Sequence, residues 1–251
     1  MARADGFERR LGKTDNRILR GGQKMIAARV IHHCNVETRA RLSQGVSNEA
    51  IYRMVARAMG VRKAGGKLLI DVGCGAGKLW PFLQHRFESY LGVDAVAYKG
   101  FPSGAQFLQV DLDNGQIPLH NESGDAVGAV EVIEHLENPR ALVRELVRLA
   151  KPGGWIVVTT PNQLSFLSLL TLVTKNRFSA FQDVHYPAHR THLLEVDLRR
   201  IAAECGLTHV AIEYSEQGRL VLTPWHYPRS LAELFPRALS DNLLMIGKRS
   251  A

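Results

Sequence analysis

Four short, mainly apolar runs, each followed by an acidic residue, occupy the middle of the chain. The runs and their acids are residues 68–70 with Asp71, residues 90–93 with Asp94, residues 106–110 with Asp111, and residues 124–130 with Glu131. Runs of this length, separated by longer helical patterns, are typical of buried strands in a parallel sheet. The pattern therefore predicts acids at successive strand ends of a doubly wound sheet.

The rest of the pattern completes an α/β architecture. Apolar residues recur at helical spacing over residues 142–149 and 194–202, and strand-like runs occupy residues 155–162, 208–214 and 242–248. The residues 151–154, Lys-Pro-Gly-Gly, are expected to close the first of these helices. We predict a seven-stranded, mostly parallel sheet with an antiparallel last strand and helices on both faces.

A glycine-rich turn follows the first apolar run, with glycines at every second position, Gly73, Gly75 and Gly77. The dinucleotide fingerprint needs a small residue at Lys78, and the phosphate loop needs glycine at Val72 and a hydroxyl residue at Leu79, so both fail. Asp71 precedes the first glycine by two positions and can receive an ammonium group or an ordered water. The turn therefore suits a cofactor that carries an amino acid better than a pyrophosphate. A tight turn without a ligand is the alternative.

The Asp-x-Gly-x-Gly-x-Gly turn, with acids at the next strand ends, resembles class I S-adenosylmethionine-dependent methyltransferases over roughly residues 67–206. The resemblance implies a Rossmann-like sheet and S-adenosylmethionine as cofactor. It also implies a set of cofactor-binding residues. In that set Gly73, Gly75 and Gly77 shape the turn, Asp71 faces the methionine end, Asp94 holds the ribose, Asp111 takes the adenine amino group, Leu112 packs on the ring, and Glu131 lies beside the methionine amino group.

The segment Glu131-Val-Ile-Glu134-His135 leaves the fourth strand with two carboxylates and an imidazole. If it begins a helical turn, the three side chains converge on one face. They could then act as a general base or hold a hard divalent ion such as Mg²⁺ or Mn²⁺. The motif resembles quinone-biosynthesis O-methyltransferases, some of which use a divalent metal. It also resembles small-RNA 3′-terminal 2′-O-methyltransferases, which bind a metal through two Glu and two His. We predict Glu131, Glu134 and His135 as the catalytic and metal-binding residues; local packing of His135 is the alternative.

Positive charge is concentrated before the first strand. Residues 1–66 carry 14 Lys and Arg against 5 Asp and Glu, whereas residues 67–251 carry 18 against 19. We predict a basic helical arm or cap over residues 1–66 and a methyltransferase domain over residues 67–251. Two apolar stripes support helices there: Met25, Ile26, Val30 and Ile31, then Ile51, Met54, Val55 and Met59. Solvated cap helices rank first, an anionic substrate or membrane surface second, and nucleic acid third, since the arm is poor in aromatic residues for base stacking.

Two inserts interrupt the second half of the domain. The first, a lid at about residues 163–192, begins with an apolar run that predicts a buried or interfacial helix and an apolar acceptor pocket. It also carries His185, His189 and His192, any of which could supply a further imidazole ligand or base. The second insert, at about residues 219–240, is rich in proline and aromatic residues and is expected to pack on the lid or on a second subunit.

These observations favour one function and leave two others open. We expect methyl transfer from S-adenosylmethionine to a hydroxyl oxygen of an apolar small molecule. The alternatives are a metal-using RNA 2′-O-methyltransferase recruited by the basic arm, and a methyltransferase-like scaffold without activity; a homodimer stays open. The three cysteines (Cys34, Cys74 and Cys205) show no close pairing. With no signal-peptide core and no run long enough to span a bilayer, we expect a cytoplasmic protein.

Overall fold

The computed structural model describes residues 36–43, 45–114 and 116–250. The predicted apolar stripe of Met25, Ile26, Val30 and Ile31 lies outside these residues, as does most of the basic arm. The helices are α1 (Val36–Leu42), α2 (Glu49–Val61), α3 (Trp80–Leu83), α4 (Pro139–Leu149), α5 (Phe166–Lys175), α6 (Glu195–Glu204) and α7 (Arg229–Leu234). The strands are β1 (Gly66–Val72), β2 (Phe87–Asp94), β3 (Gln106–Gln109), β4 (Gly124–Val130), β5 (Ala150–Pro161), β6 (Leu207–Tyr214) and β7 (Asn242–Arg249).

In the described part of the chain these strands form a single seven-stranded sheet with the order β3-β2-β1-β4-β5-β7-β6. β1 to β5 pair in parallel, and β7 is antiparallel to both of its neighbours, β5 and β6. The chain reverses its direction of winding between β1 and β4, which is where doubly wound sheets open a crevice beyond their carboxyl ends. This topology confirms the predicted fold.

Apolar side chains cover both faces of the sheet. On one face α4 and α6 bury the helical stripe of Leu142, Val143, Leu146 and Leu149 together with Leu198 and Ile201. On the other face α2 buries Ile51, Met54, Val55 and Met59, the second predicted stripe. Asn48 caps α2 by accepting a hydrogen bond from the Ala50 N–H, which fixes where this helix begins. α2 thereby anchors the segment that precedes β1 to the sheet.

One local expectation was wrong, and of the two alternatives predicted for the apolar run of the first insert, a buried or an interfacial helix, the buried one is excluded. Residues 151–154 do not form a turn after α4, because β5 already begins at Ala150 and these residues bulge between the pairs Gly124–Ala150 and Ala126–Trp155. The apolar run of the first insert does form a helix, α5, but it is not a buried one. Within this fully described helix, Ser168 is the one buried residue. In the described part of the chain, no helix combines the length and apolar character needed to cross a bilayer.

Candidate active site

A cavity of about 270 Å³ opens at the carboxyl ends of β1, β2 and β4. It is lined by acids from four strand ends, those of β1, β2, β3 and β4, and by apolar side chains that include Ile51, Val130, Val132 and Leu136. The predicted residues Asp71, Gly73, Asp94, Asp111, Leu112, Glu131, Glu134 and His135 all line it. The fold therefore brings most of the predicted site residues to one place, although they span more than sixty positions of the sequence.

The turn after β1 requires glycine for two reasons. Gly73, Gly75 and Gly77 have φ angles of 71°, 52° and 68°, in the left-handed region that other residues adopt with strain. Their surroundings are also closed: a Cβ on Gly73 would lie 2.3 Å from Val132 Cγ2, and one on Gly75 would lie 2.1 Å from the Gly45 carbonyl oxygen. The Gly73 and Cys74 N–H groups both donate to the Val93 carbonyl, at 2.7 and 3.1 Å. These contacts fix the turn against β2 and against the segment before α2.

Asp71 holds a buried carboxylate with unused hydrogen-bonding capacity. The Tyr90 hydroxyl donates to its Oδ2 at 2.6 Å, whereas Oδ1 has no hydrogen-bond partner among the described residues. Burial raises the pKa of Asp71 to about 7, the Tyr90 hydrogen bond opposes the rise, and the nearby Asp94 adds to it. A cationic or hydrogen-bond-donating group in the cavity would satisfy this oxygen.

Asp94 is held in place by the backbone around it. Its Oδ2 accepts from the Gly75 N–H at 2.8 Å, and its Oδ1 accepts from the Val96 N–H at 3.1 Å. Burial raises the pKa of Asp94, and these backbone hydrogen bonds act against that rise. The carboxylate is thus oriented before any ligand arrives, and each oxygen keeps a second lone pair for a hydroxyl donor.

Asp111 follows β3, which ends two residues earlier, at Gln109. Its Oδ1 accepts from the Asp113 N–H at 3.0 Å, and its Oδ2 accepts from the Asn114 side-chain amide at 2.6 Å. These two bonds hold the turn that places Leu112 at the cavity wall. The acid at this strand end therefore has a structural task in addition to its predicted contact with a ligand.

Glu131 takes an unusual backbone position at the end of β4. Its φ is 54°, so the chain turns sharply and Glu131 lies before the short 3-10 turn Ile133–His135, not within it. The Thr159 hydroxyl donates to Oε1 at 2.9 Å and accepts from the Glu131 N–H at 2.9 Å. The Asn242 amide donates to Oε2 at 2.7 Å. Burial raises the pKa of Glu131 to about 7, and both hydrogen bonds lower it.

Glu134 and two histidines form a second cluster. Ligand atoms of Glu134, His135 and His189 all lie within 4.8 Å of one another, and Glu131 is not part of this group. Neither Glu134 oxygen has a hydrogen-bond partner among the described residues. Burial raises its pKa well above the usual range, as does the charge of Glu131, while the nearby Thr160 hydroxyl lowers it without making a well-formed bond. The sharp turn at Glu131, in place of a regular helix, explains why the predicted trio is divided in this way.

The histidines of this cluster are oriented by backbone carbonyls. His135 Nδ1 lies 2.9 Å from the Ala188 oxygen, and His189 Nδ1 lies 2.7 Å from the Ala180 oxygen. Since a carbonyl only accepts, Nδ1 carries the proton in both rings and the lone pair of each neutral ring is on Nε2. Burial, together with the neighbouring His135, lowers the pKa of His189 to about 4. Buried carboxylate oxygens beside neutral imidazoles held in this way suit a divalent cation.

Sequence reasoning did not single out several residues of the site. His189 was one of three candidate histidines, and nothing in the local pattern separates it from His185 or His192. Asn242 and Thr159 belong to strands and show no motif. The segment of residues 40–52 covers the cavity through Gly45, whose carbonyl accepts from the Ala76 N–H at 2.9 Å, and through Tyr52. A helical cap in this region was predicted, but its individual contacts were not.

The fold and this arrangement agree with comparisons against known proteins. A family model described as "Methyltransferase domain" matches residues 44–212. The chain belongs to this family of S-adenosylmethionine-dependent methyltransferases.

Relatives at modest identity point the same way. The chain is 29% identical over 122 residues to a probable S-adenosylmethionine-dependent methyltransferase of Mycolicibacterium smegmatis, covering 47% of this chain and 46% of that protein. It is 30% identical over 119 residues to a ubiquinone biosynthesis O-methyltransferase of Chromobacterium violaceum, covering 43% of this chain and 50% of that protein. The chain thus spans about half the length of these curated relatives.

A solved S-adenosylmethionine-dependent methyltransferase of Archaeoglobus fulgidus superposes with a TM-score of 0.55 at 19% identity, over 78% of this chain and 94% of that one. At this identity the likeness shows the shared fold alone.

Proposed function

We propose that this protein transfers a methyl group from S-adenosylmethionine to a hydroxyl oxygen of an apolar small molecule. The observation that carries the proposal is the cavity at the strand ends. It is lined by the Glu134 cluster and by Asp71, whose buried Oδ1 has no hydrogen-bond partner among the described residues. The apolar part of the wall, from residues such as Ile51 and Leu136, supports an apolar acceptor. The relatives described as ubiquinone biosynthesis O-methyltransferases support an oxygen acceptor.

The residues of the cavity divide between cofactor and acceptor. S-adenosylmethionine, when bound, supplies a methyl group already activated by its sulfonium. Asp71 would receive the ammonium group, Asp94 the ribose hydroxyls and Asp111 the adenine amino group, with Leu112 against the ring. Gly73, Gly75 and Gly77 shape the turn and allow close approach of the backbone.

The chain's own task in catalysis is to remove the proton of the acceptor hydroxyl and to exclude water. A base works best when its pKa lies near the operating pH, and burial brings the pKa of Glu131 to about 7. Glu131, Glu134 or His135 would take the proton, with His189 beside them. Tyr52 and the rest of the 40–52 segment close the cavity from the side of α2.

The Glu134, His135 and His189 cluster would also hold a divalent ion such as Mg²⁺ or Mn²⁺. Glu134 offers two oxygens that have no hydrogen-bond partner in the described part of the chain, and His189 offers an Nε2 lone pair. A divalent ion there would supply Lewis-acid polarisation of the acceptor oxygen. His189 is one of the three histidines of the first insert that the sequence offered as a further imidazole ligand.

A second candidate function is supported by the same cluster. Glu131 lies next to the Glu134, His135 and His189 cluster, so two Glu and two His are found together. The resemblance to small-RNA 3′-terminal 2′-O-methyltransferases implies this same set of residue types as metal ligands. We therefore keep an RNA 2′-hydroxyl as the alternative acceptor. A scaffold without activity is the remaining alternative.

A methyl-transfer assay separates these functions. Purified protein is incubated with methyl-labelled S-adenosylmethionine, with Mg²⁺, Mn²⁺ or a chelator, and with either a panel of apolar phenols and alcohols or a small RNA. We expect label in an apolar hydroxyl compound, and activity of Glu134→Gln reduced roughly 100-fold; Glu88→Gln, an exposed acid of β2, serves as the control. Label in the RNA instead selects the second candidate. No label in either, despite cofactor binding, contradicts both and leaves the scaffold.

A further inference from the structure

The first insert contains a helix, α5, that exposes large apolar side chains to solvent. α5 is made largely of Phe, Leu and Val, yet Phe166, Leu169 and Val173 are 50%, 41% and 84% exposed. These three positions are spaced i, i+3 and i+7 and therefore lie on one helical face. The buried side of α5 is centred on Ser168, whose hydroxyl accepts from the Ser179 N–H. An exposed apolar helical face of this kind is suited to contact something apolar outside the chain.

The second insert exposes apolar side chains in the same way. Among the described residues, fourteen large apolar side chains are exposed, and ten of them lie in residues 163–192 and 219–240. These ten are Phe166, Leu169, Val173, Val184, Tyr186, Leu222, Trp225, Leu231, Leu234 and Phe235. Single exposed apolar residues are ordinary on protein surfaces, but a concentration of this kind marks an interaction site.

The two inserts adjoin one another. The Phe166 N–H, at the start of α5, donates to the Ala238 carbonyl at 2.7 Å, and the Asn162 amide donates to the Arg237 carbonyl at 2.7 Å. Arg219 lies close enough to His185 to lower the pKa of that imidazole, after the larger effect of burial. We call the exposed part of residues 163–192 and 219–240 the insert surface.

The two inserts contain more basic than acidic residues, in contrast to the rest of the domain. The two inserts together carry six Lys and Arg against two Asp and Glu, a net charge of +4. The rest of residues 67–251 carries 12 against 17, a net charge of −5. Of the six cations, Arg177 pairs with Asp183 inside the inserts, and three others, Arg190, Arg219 and Arg229, pair with acids outside them, Glu137, Asp241 and Glu216. Lys175 and Arg237 form no ion pair among the described residues and are both exposed. Exposed apolar residues among cations are the combination that binds at the surface of an anionic lipid bilayer.

We infer that the insert surface docks this protein on an anionic lipid bilayer. α5 and α7 contribute apolar side chains to the boundary between headgroups and acyl chains, and the exposed cations Lys175 and Arg237 contact the headgroups. The contact is a surface one, because no helix in the described part of the chain can span a bilayer. The inference rests on the insert surface alone and holds whatever the acceptor is.

Trp225 supplies a direct readout. It is 71% exposed on the insert surface, whereas Trp80 and Trp155, the other two tryptophans, are half-buried elsewhere. The full chain is mixed with vesicles of phosphatidylcholine alone, or of phosphatidylcholine with phosphatidylglycerol, each containing a nitroxide-labelled lipid that quenches nearby indoles. We expect quenching with the anionic vesicles only, weakened by added salt and abolished in Trp225→Phe. Residues 1–35 contain no tryptophan, so binding through the basic arm would not produce this signal.

Matched substitutions test the apolar face. Val173→Asp and Val184→Asp alter residues that are 84% and 83% exposed, and Val61→Asp alters an equally accessible valine of α2, 75% exposed, outside the inserts. We expect the double variant at 173 and 184 to bind anionic vesicles roughly tenfold more weakly. Val61→Asp should leave binding unchanged. Thermal unfolding should show that the double variant and Val61→Asp are both folded. Lys175→Glu should weaken binding more than Lys63→Glu, an exposed cation at the end of α2.

Three outcomes would overturn the inference. Vesicle binding without quenching of Trp225 would mean that another surface, such as the basic arm, carries it. Equal losses in Val61→Asp and the insert variants would mean that charge alone matters. A dimer that the insert variants dissociate in the absence of lipid would mean that this face binds a second copy.

Discussion

At the scale of single residues, the site contains buried carboxyl groups whose surroundings disfavour the charged form. Asp71 and Glu131 both have a pKa raised to about 7 by burial, and burial also raises the pKa of Glu134 well above its usual range. Asp71 and Glu134 together leave three oxygens without partners among the described residues. Buried carboxyl oxygens without partners lower the stability of the ligand-free protein. They gain a partner when a cation or a hydrogen-bond donor binds.

The first consequence concerns stability against pH. Between pH about 4 and about 7 the folded protein keeps a proton on Asp71 that the unfolded chain has lost, so stability falls as pH rises through this window. Asp71→Asn removes the titrating group and therefore the loss of stability with rising pH. The introduced amide oxygen still accepts the hydrogen bond from the Tyr90 hydroxyl. We expect the Tm of the ligand-free variant at pH 8 to exceed that of the wild type by roughly 3–10 °C, with a smaller difference at pH 4.

Asp125 provides a control of opposite sign. Burial acts to raise its pKa, but the hydrogen bond from Lys151 and those from the Lys67 and Leu68 N–H groups hold it below the usual range. The stability it gives is therefore present above its unfolded pKa and is lost as pH falls. Asp125→Asn should lower the Tm at pH 8. If Asp71→Asn also lowers the Tm at pH 8, the buried Asp71 carboxylate does not destabilise the ligand-free protein.

A second prediction concerns the hydrogen bonds to Glu131. The Thr159 hydroxyl and the Asn242 amide orient its carboxylate and lower its pKa, so Thr159 and Asn242 are positioning residues. Thr159→Val keeps the shape and removes the hydroxyl, whereas Thr159→Ser keeps the hydroxyl. We expect Thr159→Val to reduce kcat roughly 10-fold or more and to move the acidic limb of the kcat/KM profile to higher pH. Asn242→Ala should act in the same direction.

The serine variant separates positioning from packing. Thr159→Ser should retain most of kcat and the wild-type pH profile, because the bond to Glu131 Oε1 persists. Equal losses in the serine and valine variants, with unchanged pH profiles, would show that Thr159 acts only through its packing in β5.

At the scale of elements, the strands and helices that carry a strong pattern were predictable. β4 begins and ends where the apolar run over residues 124–130 does, and α4 buries the predicted stripe. β3 was predicted too long, because Val110 and Leu112 extend an apolar pattern that the Asp111 turn interrupts. The 151–154 segment was mistaken for a turn, because Pro and Gly are typical of turns. In this chain the same residue types form a bulge of β5.

The glycine turn gives the prediction at this scale. Gly75→Ala would strain a φ of 52° and place its Cβ 2.1 Å from the Gly45 oxygen, so the turn or the covering segment must move. Gly206→Ala is the matched control: its φ is 71°, but its Cβ would meet nothing within 4 Å. We expect both variants to lose some stability, and Gly75→Ala alone to weaken cofactor binding by more than roughly tenfold. Equal affinities in the two variants would contradict the assigned role of the turn.

At the scale of the whole molecule, the site depends on contacts that a linear pattern does not contain. His189 reaches Glu134 across more than fifty positions, and Asn242 reaches Glu131 across 111. Local periodicity predicts elements, whereas these contacts follow from the order of strands in the sheet and from the path of the inserts. The sequence therefore predicted the acids at the strand ends and the cofactor class, but not which imidazole joins the cluster or what holds Glu131.

The central claim, that the carboxylates at the ends of β1 and β2 hold S-adenosylmethionine, is tested most directly by calorimetric titration with S-adenosylhomocysteine. The wild type, Asp94→Ala and Glu88→Ala are compared, the last being an exposed acid on the same strand as Asp94. We predict micromolar binding by the wild type and by Glu88→Ala, and binding at least roughly tenfold weaker by Asp94→Ala. Absence of binding by the wild type, or equal affinity in Asp94→Ala, would contradict the account.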